Sequence, residues 1–239
     1  MTELLYQTDS YLHSFEASVV ALNEEGRGIA LDRTAFYPGG GGQPADSGSL
    51  TVNKVQYAVK RAKKAGELVF HYVEGEEPLP SVDNIARGQI DWERRYQLMR
   101  THTAMHVLCG VIFRDYGASV TGGDMDPLEG RMDFEFETMQ RELVDKIQEA
   151  VNREVDAARE VRVAILPREQ AFQIPDLIRT KINLLPEGIQ QVRVVEIVGL
   201  DLQADGGTHV RNTAEVGSIR VVDYKSKGKI NKRIYVAIE

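Results

Sequence analysis

His102 and His106 stand at i and i+4 within Met99-Arg100-Thr101-His102-Thr103-Ala104-Met105-His106-Val107-Leu108. On a helix that spacing puts both rings on one face, within reach of one ion. Much further along, Asp205-Gly206-Gly207-Thr208-His209 offers a carboxylate and another imidazole. Two consecutive glycines let the backbone turn sharply and bring Asp205 and His209 to one point. Three imidazoles and a carboxylate suffice for one divalent metal. Zn²⁺ accepts both donor types, and a catalytic zinc keeps one position for water. Thr103 occupies the position where an H-E-x-x-H peptidase carries its glutamate base, so peptidase chemistry is missing its base. Cys109, three residues after His106, could face the same ion. It reads as a buried packing residue, because free cysteine behaves as a small hydrophobe.

The elements that must position these residues fall into two parts, 1–90 and 91–239. The first reads as a small β domain. Strands are expected over 15–22, 28–32, 50–52, 55–61, 67–73 and 84–91, at the close spacing of a barrel or sandwich. Tyr37-Pro38-Gly39-Gly40-Gly41-Gly42-Gln43-Pro44 is a loop by its turn chemistry. In the second part Asp91 is a candidate N-cap for a helix that carries the His pair and stops near Gly117. The strongest helical periodicity runs over 139–159, where Leu143, Ile147, Ala150, Val151 and Val155 recur among charges. A short helix is expected over 169–179. Strands are expected over 134–136, 161–166, 192–197, 208–211, 215–224 and 233–238. This order predicts an α+β chain, a barrel followed by a two-layer domain.

Composition narrows the class further. The 239 residues carry a formal charge of −7, against broad non-specific binding to nucleic acid. No apolar run approaches membrane-spanning length, and Met1-Thr2-Glu3-Leu4-Leu5 lacks a signal pattern. The single cysteine excludes an internal disulfide and fits a reducing cytoplasm.

Three blocks together resemble the editing domain of alanyl-tRNA synthetase and its free-standing relatives, the AlaX family. They are Thr34-Ala35-Phe36-Tyr37-Pro38-Gly39-Gly40-Gly41-Gly42-Gln43, then Asp91-Trp92-Glu93-Arg94-Arg95 with the His102/His106 segment, then Asp205-Gly206-Gly207-Thr208-His209-Val210. The glycine-rich block beside a separate β domain resembles the longer AlaX type. The resemblance implies a zinc-dependent hydrolase that acts in trans on mischarged alanine tRNA, releasing serine or glycine. It implies an N-terminal barrel joined to the domain shared with threonyl-tRNA synthetase, and no nucleotide cofactor. One departure stands out: the family block carries Cys where this chain has Asp205. A carboxylate is a harder ligand than a thiolate, so affinity and metal preference change.

Under that resemblance Gln43, with Gly41 and Gly42, becomes a candidate for holding a water or the ribose. Thr34 becomes the candidate partner for a substrate serine hydroxyl, since a site built to bind a hydroxyl rejects substrates without it. Zinc would either activate water or orient the substrate through its amino group; the residues leave both open. Phosphate contact falls to Arg94, Arg95 and Arg100 near the metal helix, and to the basic tail with Lys225, Lys227, Lys229 and Lys232. Two other classes compete: a non-catalytic tRNA- or protein-binding module pinned by zinc, and a zinc hydrolase of a small ester or amide.

Overall fold

The structure, a computed structural model, describes residues 1–179 and 188–239. It forms two units, Met1–Tyr96 and Gln97–Glu239. The division falls inside the first long helix.

The first unit contains β1 (Glu3–Leu4), β2 (Ser14–Asn23), β3 (Gly28–Leu31), β4 (Arg33–Thr34), β5 (Gly48–Val52), β6 (Val55–Ala65), β7 (Leu68–Val73) and β8 (Ile85–Ile90). Six of them close a barrel in the order β2-β3-β7-β6-β5-β8. Closure leaves no unpaired sheet edge. Inward positions alternate as a half-buried strand requires: Phe15, Ala17 and Val19 on β2, Leu50 and Val52 on β5, Ala86 and Ile90 on β8. On β6 a register shift between Val59 and Arg61 moves the buried set from Tyr57 and Val59 to Ala62.

A buried polar pair, His71 and Thr34, adjoins this apolar core. His71 is fully buried; its Nδ1 lies 2.9 Å from the Ile29 carbonyl, and its Nε2 lies 2.8 Å from Thr34 Oγ1. A carbonyl only accepts, so Nδ1 carries the proton and Thr34 donates to Nε2. Burial lowers the His71 pKa to about 4, against a smaller raising effect of the Ile29 hydrogen bond. The unfolded chain gains a proton near pH 6.5, whereas the folded chain stays neutral until about pH 4. The stabilisation linked to neutral His71 is therefore complete above pH 6.5 and is lost as pH falls towards 4, by roughly 3 kcal/mol. Urea unfolding of wild type and His71→Gln at pH 7 and pH 4.5 checks this. Wild type is expected to show the steeper loss, and equal losses would contradict it.

The second unit is organised around α1 (Trp92–Tyr116). The Asp91 carboxylate accepts the Arg94 N–H at 3.2 Å, an N-cap contact at the helix start. Every residue of α1 from Thr101 to Ile112 is buried, the behaviour of a helix enclosed on all sides. There follow β9 (Val120–Asp126), β10 (Glu129–Glu135), α2 (Arg141–Asp156), β11 (Val161–Pro167), α3 (Arg168–Ala171), β12 (Gln191–Ile197), β13 (Asp201–Ala204), β14 (Ile219–Ser226) and β15 (Asn231–Ile238). They build two antiparallel sheets, β14-β15-β10-β9 and β11-β12-β13. The α+β reading is borne out. α2 buries Val144, Ile147, Ala150, Val151 and Val155, and its Asn152 side chain donates to the Ile219 carbonyl and accepts the Ile219 N–H.

Several expected boundaries differ. The stretch expected as a strand over 208–211 is irregular: Val210 N–H goes to Thr103 Oγ1 instead of to a neighbouring strand. The strand expected from Glu215 begins at Ile219, because Asn212 and Glu215 close a capping box around a short 3₁₀ turn. The helix expected over 169–179 is a single turn, Arg168–Ala171.

Candidate metal centre

α1 carries His102 and His106 on one face, and the Gly206-Gly207 turn after β13 returns His209 beside Asp205. His102, His106, Asp205 and His209 each offer one ligand atom, all within 4.8 Å of one another. The ring centroids of His102, His106 and His209 lie 4.3 to 5.1 Å apart. His209 Nε2 lies 2.9 Å from Asp205 Oδ1, and His102 Nε2 lies 3.5 Å from Asp205 Oδ2. Among the described residues Cys109 is outside this group; its sulfur accepts a hydrogen bond from Gln203 at 3.3 Å.

The loop geometry explains how Asp205 is aimed. Its Oδ1 accepts the Gly207 N–H at 2.8 Å, a local side-chain turn that needs no side chain at 206 or 207. Arg193 Nη1 donates to the Asp205 carbonyl at 2.9 Å, and the Asp205 N–H continues the sheet ladder to Arg193 O. Thr103 Oγ1 lies 3.2 Å from His209 Nδ1 while accepting Val210 N–H. His106 Nδ1 lies 3.1 Å from Asp201 Oδ2. Since a carboxylate accepts, His106 Nδ1 carries the proton, which leaves Nε2 as its donor atom.

Burial lowers the His102 pKa to about 4, and the neighbouring Arg193 and His106 push the same way against Asp205. Burial also holds His209 well below the usual imidazole range. These two rings are neutral at pH 7, the form that binds a metal. Burial alone would lower His106, yet the Asp201 hydrogen bond raises it. Asp205 is opposed by burial but lies well below the usual carboxylate range, driven by the surrounding imidazoles. Neutral His102 and His209 beside the ionised Asp205 match the donor types of a divalent metal in the zinc class.

The other candidates are distributed as follows. Thr34 and Gln43 belong to the first unit and are buried. Besides His71, Thr34 Oγ1 takes the Phe36 N–H at 3.1 Å. Gly40 and Gln43 exchange backbone hydrogen bonds at 3.1 and 2.9 Å, with Gly41 and Gly42 between them at φ +56° and +86°. Positive φ at both central positions is the type I′ pattern that glycine favours. Arg94 Nη1 donates to Ala45 O, and Arg100 donates to the Val216 and Glu239 carbonyls. Lys225 pairs with Asp223 at 2.8 Å, and Lys227 and Lys229 are exposed in the β14–β15 hairpin.

Two expected phosphate contacts are corrected. Arg95 has no exposed surface; it pairs with buried Asp46 and donates to Ser10 O and Ala35 O, so its charge is spent inside the barrel unit. Lys232 is 6 % exposed, and its Nζ donates to the Gly228 and Lys229 carbonyls at 2.9 and 3.0 Å, capping its own hairpin. Sequence reasoning passed over Asp201, Gln203 and Arg193, and treated Thr103 only as the place of an absent base. A signal for the first two existed: 201, 203 and 205 alternate with the period of a strand and share one face.

Comparison with known proteins decides the family. The "Alanyl-tRNA editing protein AlaX-M" of Saccharolobus solfataricus is 39 % identical over 243 residues, spanning all of both chains. The chain belongs to the AlaX-M family. Its Methanosarcina mazei relative of the same name is 38 % identical, covering all of this chain and 97 % of the relative. An "Alanine--tRNA ligase" of Ignicoccus hospitalis is 37 % identical over 92 % of this chain, which corresponds to only 24 % of that ligase. Two family profiles match parts of the chain. "tRNA synthetases class II (A)" covers residues 7–94, and "Threonyl and Alanyl tRNA synthetase second additional domain" covers residues 192–235. The AlaX resemblance carried by the three sequence blocks is thereby borne out. Among the described residues, no helix is long and apolar enough to cross a membrane.

Proposed function

We propose that this protein is a trans-acting editing deacylase that hydrolyses the ester of mischarged alanine tRNA at a zinc site. Serine is the principal amino acid released and glycine the second. The observation that carries the reading is the His102, His106, Asp205 and His209 cluster, with ligand atoms within 4.8 Å, in a chain related to editing proteins over its whole length. Zinc, when bound, would polarise a carbonyl, activate water or orient the substrate through its amino group. Three imidazoles and Asp205 would hold it.

The chain's own contribution is mainly to hold and orient. An aminoacyl ester is already activated, so modest assistance suffices. Among the described residues, both carboxylates that meet the imidazoles are committed, Asp205 to the ligand set and Asp201 to His106 and Gln203. That arrangement favours orientation of the substrate over general-base catalysis by a protein carboxylate. Gln43 handles a water or the ribose in this reading. Thr34, with a lone pair left after its contacts to His71 and Phe36, accepts from a serine hydroxyl. Thr34→Val should slow serine removal selectively; equal rates in wild type and variant would remove Thr34 from the reading.

The deciding experiment incubates zinc-loaded protein with Ser-, Gly- and Ala-charged alanine tRNA, with and without chelator. Serine release is expected to outpace alanine release and to stop with chelator. Absence of release from every substrate, or release indifferent to chelator, would contradict the proposal.

Phosphate contact falls to the exposed Lys227 and Lys229. Lys227→Ala/Lys229→Ala is expected to weaken tRNA binding and reduce the slope of log affinity against log salt by about 2. An unchanged slope would place the RNA elsewhere.

A further inference from the structure

We infer that Asp201 is the positioning residue for the metal centre, setting the tautomer and aim of His106 from behind. The inference rests on the metal reading above. It assigns a role to a residue outside the ligand set.

The side chain of Asp201 is completely buried. One oxygen, Oδ2, faces His106 Nδ1 at 3.1 Å and accepts from Gln203 Nε2 at 2.7 Å. The other, Oδ1, has no hydrogen-bond partner among the described residues and lies 3.6 Å from Arg179 Nε. Arg179 itself stacks on Phe113, its guanidinium carbon 3.6 Å from the ring centroid. A buried ion pair with an unsatisfied oxygen is a poor source of stability, and apolar replacements often do as well or better. The arrangement does accomplish something else. With Oδ2 on Nδ1, His106 holds its proton on the outer nitrogen and leaves Nε2 as a lone-pair donor.

The backbone is built for this contact. Gly110 lies one helical turn beyond His106 on α1. A Cβ there would come within 3.0 Å of Asp201 Cβ and 2.9 Å of Leu200 Cγ. The missing side chain lets the start of β13 approach α1 closely enough for Asp201 to reach the imidazole. Gln203, two residues on along the strand, secures the carboxylate and also touches Cys109 Sγ. His209 is held differently, with the neutral Thr103 hydroxyl at its Nδ1. The two outer contacts are thus unequal, and the charged one serves His106.

The test measures zinc affinity by competition with a chromophoric chelator, on full-length wild type, Asp201→Asn and Gln203→Ala. Asp201→Asn keeps the side-chain shape but presents an amide that can donate to Nδ1. Loss of an outer-sphere carboxylate typically weakens metal binding about 10- to 100-fold, and that range is expected here. Gln203→Ala, at a half-buried position, should weaken it several-fold and keeps the test open if Asp201→Asn does not fold. Imidazole nitrogen NMR supplies a readout that general destabilisation would not move. The protonated Nδ1 resonance of His106 is expected in wild type and lost or shifted in Asp201→Asn. Unchanged zinc affinity in both variants, with wild type binding one zinc, would overturn the role of Asp201 alone. A wild type that binds no zinc would overturn the metal reading and this inference with it.

Discussion

Replacing His102 or His209 by alanine is expected, on the proposed zinc-dependent function, to strip the metal and slow ester hydrolysis about 1,000-fold. Each ring is buried and offers one of the four donor atoms that cluster among the described residues. Removing one takes a neutral nitrogen donor out of the shell and leaves a buried gap beside the remaining ligands, which weakens the hold on the metal. Lewis-acid assistance is worth several kcal/mol, and about 4 kcal/mol corresponds to that factor in rate. The effect should appear in zinc stoichiometry as well as in turnover. Asp205→Cys provides the reciprocal case. Restoring the thiolate of the family block should tighten zinc binding, because thiolate is the softer donor. A His209→Ala protein with full zinc content and wild-type turnover would break the link between cluster and activity.

Arg95→Met is expected to cost the barrel unit about 3–5 kcal/mol, the usual penalty for breaking a buried ion pair by removing one partner. Arg95 and Asp46 are both buried, and Arg95 further binds the Ser10 and Ala35 carbonyls. Asp46 also accepts the Tyr37 N–H at 2.6 Å, and Tyr37 O–H donates to Gly40 O. Loss of Arg95 therefore strands a carboxylate and loosens the glycine-rich turn together. Equilibrium urea unfolding of the full chain at pH 7 measures the first effect. The double variant Arg95→Met/Asp46→Asn should recover part of the loss, because no buried charge is then left unpaired. A single variant within 1 kcal/mol of wild type, on the order of a surface substitution, would contradict this account.

Much of the centre was legible in the chain. The i, i+4 imidazoles needed only a helix; Asp205 and His209 meet as expected, although a Cβ at Gly206 would touch nothing within 4 Å, so the turn does not depend on that glycine. The barrel followed from closely spaced alternating strands. The outer contacts were not legible, because they join residues far apart: His106 to Asp201 and Thr103 to His209 cross 95 and 106 positions. No local pattern encodes such pairs. Two errors had readable warnings. Arg95, Met99, His102 and His106 step along one helix face, so Arg95 was set on the buried side with the ligands. Lys232 alternates with Ile234, Val236 and Ile238, which places its stem inward. In both cases positive charge was read as solvent exposure, although periodicity pointed the other way. β9, rich in glycine and aspartate, carried little strand propensity; pairing with β10 overrides that.

Zinc-edge X-ray absorption on protein loaded with one equivalent of metal tests the central claim most directly. Imidazole and carboxylate donors should give a nitrogen and oxygen shell at about 2.0–2.1 Å with no sulfur scatterer near 2.3 Å. The imidazole signal should diminish in His102→Ala. A sulfur shell, which only Cys109 could supply, or a spectrum unaltered by that substitution, would mean that the metal is held elsewhere.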